Sequence, residues 1–199
     1  MAPKVVTLAV EGPVDVPVAR RILATVGLEA GPVHRQGGKM GLDKKLHGFN
    51  CAAAFSPWLV LRDLDHDEPC AGALVARLLP EAATRMCFRI AVRETEAWLL
   101  ADRDRIAAYL SVPASLVPSE PERLDDPKQA LINLARKSRK RILREDLVPL
   151  EGSTAQVGPG YLAQVSEYVS GPWRPEVAAR TSQSLARCLA ALRRLKQSR

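Results

Sequence analysis

Apolar runs and helical spacings alternate along the first half of the chain. Residues 4–10, KVVTLAV, are β-branched and almost wholly apolar, the pattern of a strand buried on both faces. The stretch VPVARRILATVG then repeats apolar residues at helical spacing through Val18, Ile22 and Val26, and Gly27 supplies a natural stop. The alternation continues. GPVHR predicts a short second strand at 31–35, residues 40–54 a helix or broken helix, WLVLR a third strand at 58–62, and AGALVARLLP a helix halted by Pro80. RMCFRIAV, residues 85–92, predicts a fourth strand, and TEAWLLADRDRIAAYL, residues 95–110, a helix with Trp98, Ala101 and Ala108 near one face. Four strands alternating with helices predict an α/β fold with a mainly parallel sheet covered on both sides, because right-handed crossovers place helices on its faces. Ligands of such sheets bind beyond the carboxyl ends of the strands.

After Tyr109 the texture changes. Residues 112–127 carry Pro113, Pro118, Pro121 and Pro127, which forbid a continuous helix and read as a connector. A helix is expected to start at Pro127 with Asp126 as its N-cap. A loop at 151–160, a short helix near 161–169 and a last helix carrying Leu185, Leu189 and Leu192 on one face complete the chain. The expected organisation is an α/β core over residues 1–112 and, over 113–199, a Pro-rich connector and helical extension packing on it.

Composition narrows the function classes. Hydrophobic content of 47% with 26% charged residues excludes a disordered or fibrous chain, and 5% aromatic residues offer no evident base-stacking platform. Twenty-nine Lys and Arg against 22 Asp and Glu give a net charge of +7, which favours polyanionic partners, nucleic acid among them. Cys51, Cys70, Cys87 and Cys188 form no C-x-x-C pair, so neither a zinc ribbon nor a disulfide scaffold is indicated and a reducing cytoplasm is the expected home. The apolar run near the start is too short for a signal-peptide core or a membrane span, and none longer follows. The expectation is a protein neither exported nor membrane-integral.

Against this basic background the acids at the strand ends stand out. Strand one runs into Glu11 and Asp15, strand three into Asp63 and Asp65, and strand four into Glu94 and Glu96. In an extended segment residues two apart point the same way, so Asp63 and Asp65 are expected to share a target, as are Glu94 and Glu96. Acids in a first helical turn are also favoured by the helix dipole with no further role, which accounts for Asp15, Glu94 and Glu96 taken singly. Three pairs on one rim would repel and take up protons unless a cation neutralised them. Oxygen-only ligation suits Mg²⁺ or Mn²⁺, and six carboxylates are enough for two such ions.

The Glu after strand one, joined to the D-x-D of RDLDHD, resembles the TOPRIM fold of topoisomerases, primases and the overcoming-lysogenisation-defect (OLD) nucleases. In that resemblance Glu11, Asp63 and Asp65 hold Mg²⁺, while the EGPVD and ETE segments look like the OLD-type branch, in which further carboxylates, here Asp15, Glu94 and Glu96, complete a second metal site. RDLDHD, RIAVRETEAWLLAD, DDPKQAL and RTSQSLARCLAAL together resemble a family of short TOPRIM-like bacterial proteins of unknown function, and the likeness covers most of the chain. It implies a Rossmann-like four-stranded sheet, a metal-dependent nuclease activity and, by analogy with two-gene defence systems, an ATPase partner acting in trans. VHRQGGKM departs from a P-loop: Val33 stands for the first Gly and Met40 for the Ser or Thr, so no NTPase is expected in this chain. Tyr109, Tyr161 and Tyr168 lack the setting of a topoisomerase nucleophile, which favours hydrolysis.

Basic residues supply the rest. Arg35, Lys39, Lys44 and Lys45 surround the Gly37–Gly38 pair near the same rim, and Arg136, Lys137, Arg139, Lys140 and Arg141 form a second run, both candidates to track a phosphate backbone, DNA foremost. Each also reads as a solvated loop or helix face. Lys128, in the DPK stretch, is a candidate catalytic cation for charge developing on phosphorus, or a plain first-turn lysine. The expected activity is Mg²⁺-dependent phosphodiester hydrolysis, with Glu11, Asp63, Asp65 and Lys128 at its centre; the alternative is a non-catalytic module binding nucleic acid or an ATPase.

Overall fold

The computed structural model describes residues 4–197. Four parallel strands, β1 (Val5–Val10), β2 (Glu29–Arg35), β3 (Trp58–Asp63) and β4 (Met86–Ala91), form one sheet in the order β2-β1-β3-β4. The protein is an α/β protein, as the alternating pattern predicts. The order runs outward from β1 in one direction and from β3 in the other, so the topological switch point lies between their carboxyl ends.

Alternation along each strand sorts the core into two layers. On one face Leu8 and Val10 of β1, Leu59 and Leu61 of β3 and Cys87 of β4 pack with α1 (Asp15–Thr25). On the other, Val60, Phe88 and Ile90 meet Leu42 and Leu46 of α2 (Lys39–Ala52) and Leu74 of α3 (Ala71–Leu78). β2 is an edge strand with a register shift opposite Val6 and Leu8, beside Gly31 and Pro32, where a residue without a backbone N–H is tolerated.

The stretch 95–110, read as one helix, is two: α4 (Thr95–Leu100) and α5 (Arg103–Leu110). Asp102 breaks it. Its fully buried carboxylate accepts the Arg174 backbone N–H at 2.9 Å and the guanidinium at 2.6 and 3.0 Å, a tertiary bond that local helical spacing does not reveal. The connector contains two 3₁₀ turns, Ala114–Leu116 and Pro121–Arg123. It then enters α6 (Pro127–Arg136), where Asp126 caps the Gln129 N–H at 2.6 Å and Pro127 opens the helix as predicted. The basic run does not extend α6; Lys137–Lys140 turn, and α7 (Arg141–Leu147) follows.

α8 (Tyr161–Ser170), α9 (Pro175–Ala178) and α10 (Gln183–Gln197) complete the described chain. Tyr168, Trp173, Leu185 and Leu189 share a continuous apolar core with Val18, Leu59 and Trp98, so side chains from both sides of residue 112 fill one layer. Among the described residues no helix is long and apolar enough to cross a membrane.

Candidate metal centre

The switch point brings carboxylates from three strand ends together. Glu11, just past β1, accepts the Asp63 backbone N–H at 2.9 Å, which ties the ends of β1 and β3. Asp15, in the first turn of α1, turns back over the rim and accepts the Gly12 N–H at 2.9 Å. Thr95 sits between them: its N–H donates to Asp63 Oδ1 at 3.0 Å and its hydroxyl to Asp15 Oδ1 at 3.1 Å. Glu96, buried in the first turn of α4, accepts the Tyr161 hydroxyl at 2.9 Å from α8.

Electrostatics follow from this convergence. Burial pushes Glu11 up from 4.5 to about 7, with Asp15 and Asp65 adding to the rise against the Asp63 N–H and Arg62. Asp63 is driven well above the ordinary carboxylate range, by burial first and then by the charges of Asp15, Glu96 and Glu11. Burial likewise raises Asp15 and Glu96. Lys128 brings a cation into this group: its Nζ donates to Glu94 Oε1 at 2.7 Å and lies 3.8 Å from Glu96 Oε1. Burial alone would lower the Lys128 ammonium, but Glu96 and Glu94 hold it above its usual value.

Two of the six acids are engaged elsewhere. β3 ends at Asp63, Leu64 turns into the core, and Asp65 takes a left-handed φ of 47°, so Asp63 and Asp65 do not share a direction. Asp65 instead pairs with Lys39 at 3.0 Å, and Lys39 also holds Asp67 at 2.7 Å. Glu94 is bound through both oxygens by Lys128, whose backbone N–H donates at 3.0 Å, so this acid helps cap α6. His66 is exposed, and Glu68 pairs with Arg77.

The basic candidates divide. Lys39 reaches the acidic rim, whereas Arg35, Lys44 and Lys45 are exposed around the start of α2. Arg136 bonds Asn133, Lys140 donates to the Tyr109 carbonyl, Arg141 pairs with Glu145, and Lys137 and Arg139 are exposed. At ~1.5 Å per residue this run begins roughly 12 Å along α6 from Lys128.

Sequence reasoning passed over Thr95 and Arg62, and weighed Tyr161 only as a nucleophile. Arg62 is fully buried, bonding Asp43 at 3.0 Å and Asp67 at 2.5 Å, and lies 3.9 Å from Glu11. A charge inside the apolar run WLVLR was a readable signal of such pairing. Nothing in the sequence singles out Tyr161, whose role depends on α8 folding back over α4.

The acids that converge here are all oxygen donors, the preference of hard divalent cations, and their mutual repulsion is what such a cation would relieve. In this respect the donor set fits Mg²⁺ or Mn²⁺. Among the described residues no three His, Cys, Asp or Glu side chains already stand as a ready metal shell, so a cation would have to draw these carboxylates together. The chain matches no protein-family model, no curated protein and no solved structure.

Proposed function

We propose that this chain is a TOPRIM-type, Mg²⁺- or Mn²⁺-dependent phosphodiesterase that hydrolyses nucleic acid, DNA foremost. The observation that supports it is the convergence of Glu11, Asp15, Asp63 and Glu96 at the switch point of a parallel sheet, all four raised by burial and mutual repulsion, with Lys128 beside them. Glu11, Asp63, Asp15 and Glu96 would hold the first ion. A second would need Asp65 or Glu94 to exchange its lysine for metal, which makes Lys39 and Lys128 competitors for that site. When bound, such ions supply Lewis acidity toward a phosphoryl group and ready a water for attack.

The remaining roles belong to this chain. Thr95 orients Asp63 and Asp15 through separate donors, Tyr161 anchors Glu96, and the Asp63 N–H fixes Glu11. Lys128, once parted from Glu94, would place its ammonium toward charge developing on the phosphoryl oxygens. Lys39 and the arginines and lysines of 136–141 would position the phosphate backbone. One observation favours a second reading, a non-catalytic module that binds nucleic acid or an ATPase in trans: Lys39 and Lys128 already neutralise Asp65 and Glu94.

Incubation of purified protein with supercoiled DNA, linear DNA and RNA, with Mg²⁺, Mn²⁺ or chelator, distinguishes the two. Metal-dependent cleavage that Asp63→Asn abolishes, with circular dichroism unchanged, is the expected result. Full cleavage by that variant overturns the assignment.

A further inference from the structure

Outside the carboxylate cluster, a groove of about 890 Å³ runs along the free edge of β4 between α3 and α10. The backbone there is incompletely paired. In a parallel strand alternate residues direct their N–H and C=O to opposite edges. The Arg85 and Ala91 carbonyls bond Trp58 and Leu64 on the β3 side, so Phe88 and Ile90 direct theirs outward. Two outward amides in this stretch are capped, Met86 N–H by the Ala83 carbonyl and Val92 N–H by the Ser184 hydroxyl. Among the described residues no strand pairs with the outward groups of Phe88 and Ile90.

Charge in the groove is one-sided. Arg89, Arg93 and Arg187 line it, and among the described residues none of the three forms an ion pair with a carboxylate, although Arg93 donates to the Asp65 carbonyl at 2.7 Å. Arg89 Nε is buried with no hydrogen-bond partner. The acid in the groove, Glu122, is committed: it accepts two N–H groups and two hydroxyls at the start of α10, from Ser182, Gln183 and Ser184. Val75 and Leu79 of α3 supply an apolar wall.

We propose that this groove takes an acidic, extended peptide segment of a partner protein, which pairs with Phe88 and Ile90 as a fifth strand of the sheet. Its amides and carbonyls would meet the outward backbone, its acidic side chains the three guanidiniums, and alternate apolar side chains the α3 wall. With Met86 and Val92 capped, residues 88–90 of β4, ~10 Å of strand, are open for this pairing. A DNA backbone has no donors for the outward carbonyls. A second copy of this chain would set these arginines against their own counterparts across a two-fold axis.

The test is selection of a random octapeptide library on the immobilised full chain, followed by hydrogen exchange with the best binder. Expected are peptides alternating Asp or Glu with apolar residues, and amide exchange at Phe88 and Ile90 slowed tenfold or more. Arg187→Glu, at the surface, should weaken binding at least tenfold. Ile90→Pro, which removes one outward N–H on an edge strand, should do the same. Enrichment of other peptides, no enrichment, or protection at other amides overturns the proposal. So does protection of Phe88 and Ile90 by a 20-residue oligothymidylate, or by self-association as concentration rises.

Discussion

Replacing Lys128 by Met removes the ammonium from the carboxylate cluster and keeps much of its aliphatic bulk. At 2.7 Å from Glu94 and an effective dielectric constant of ~20, that pair amounts to ~6 kcal/mol of Coulomb attraction, most of it offset by the cost of desolvating both ions. Breaking a buried pair costs ~3–5 kcal/mol, and because the Lys128 side chain is 30% exposed we take the lower end, ~3 kcal/mol. For a chain of 199 residues that is a fall in Tm of roughly 6–12 °C. The loss must depend on pH. Asp15, Asp63 and Glu96 have raised pKa values in the fold and are held down by Lys128, so without it they bind protons more readily. A folded state that binds extra protons gains stability as pH falls, so the deficit should be larger at pH 8 than at pH 5. Differential scanning calorimetry of both proteins in chelator at the two pH values reads this directly. A deficit of equal size at both values, or none at pH 8, would refute the electrostatic account and leave Lys128 a packing residue.

The metal-free protein itself should lose stability as pH rises. Glu11 binds more protons folded than unfolded between 4.5 and about 7, so its share of the decline from pH 5 to pH 8 is up to ~3 kcal/mol, measurable by urea unfolding. Mn²⁺ binding should release more protons at pH 6 than at pH 9, seen by calorimetry in buffers of different ionisation enthalpy; equal heats across buffers at pH 6 would count against ligation by these acids. Arg174→Ala strands the buried Asp102 carboxylate on a single backbone N–H and should lower the urea midpoint, whereas a neutral effect would mean that another group neutralises Asp102. Asp126→Ala removes the α6 cap and should cost only ~1 kcal/mol.

The strands were legible because each is a short β-branched or apolar run bounded by turn residues, and a parallel sheet follows from their alternation with helices. That topology alone carries Glu11, Asp63 and Glu94 to one rim. What composition and spacing could not supply was direction beyond the last paired residue. Asp65 keeps the two-residue interval of a strand, but the chain turns left-handed there, and Lys39, 26 positions earlier, captures it. The break at Asp102 was hidden for a related reason: TEAWLLADRDRIAAYL is locally helical throughout, and the Arg174 that interrupts it lies 72 residues away. Tyr161 and Thr95 act through hydrogen bonds that leave no periodic trace.

The seating of α10 against β4 has a consequence for how the protein is made. Trp98 donates to the Ser184 hydroxyl at 2.6 Å, and Leu185, Leu189 and Leu192 are buried in the same layer as Cys87 and Leu59. A nascent chain therefore cannot close that side of its sheet until residues 183–197 have cleared the ribosomal exit tunnel. Until then it presents an oily surface to whatever holdases attend synthesis. Closure of this layer should therefore follow the emergence of residues 183–197, and a product terminated before residue 183 should be degraded rather than accumulate.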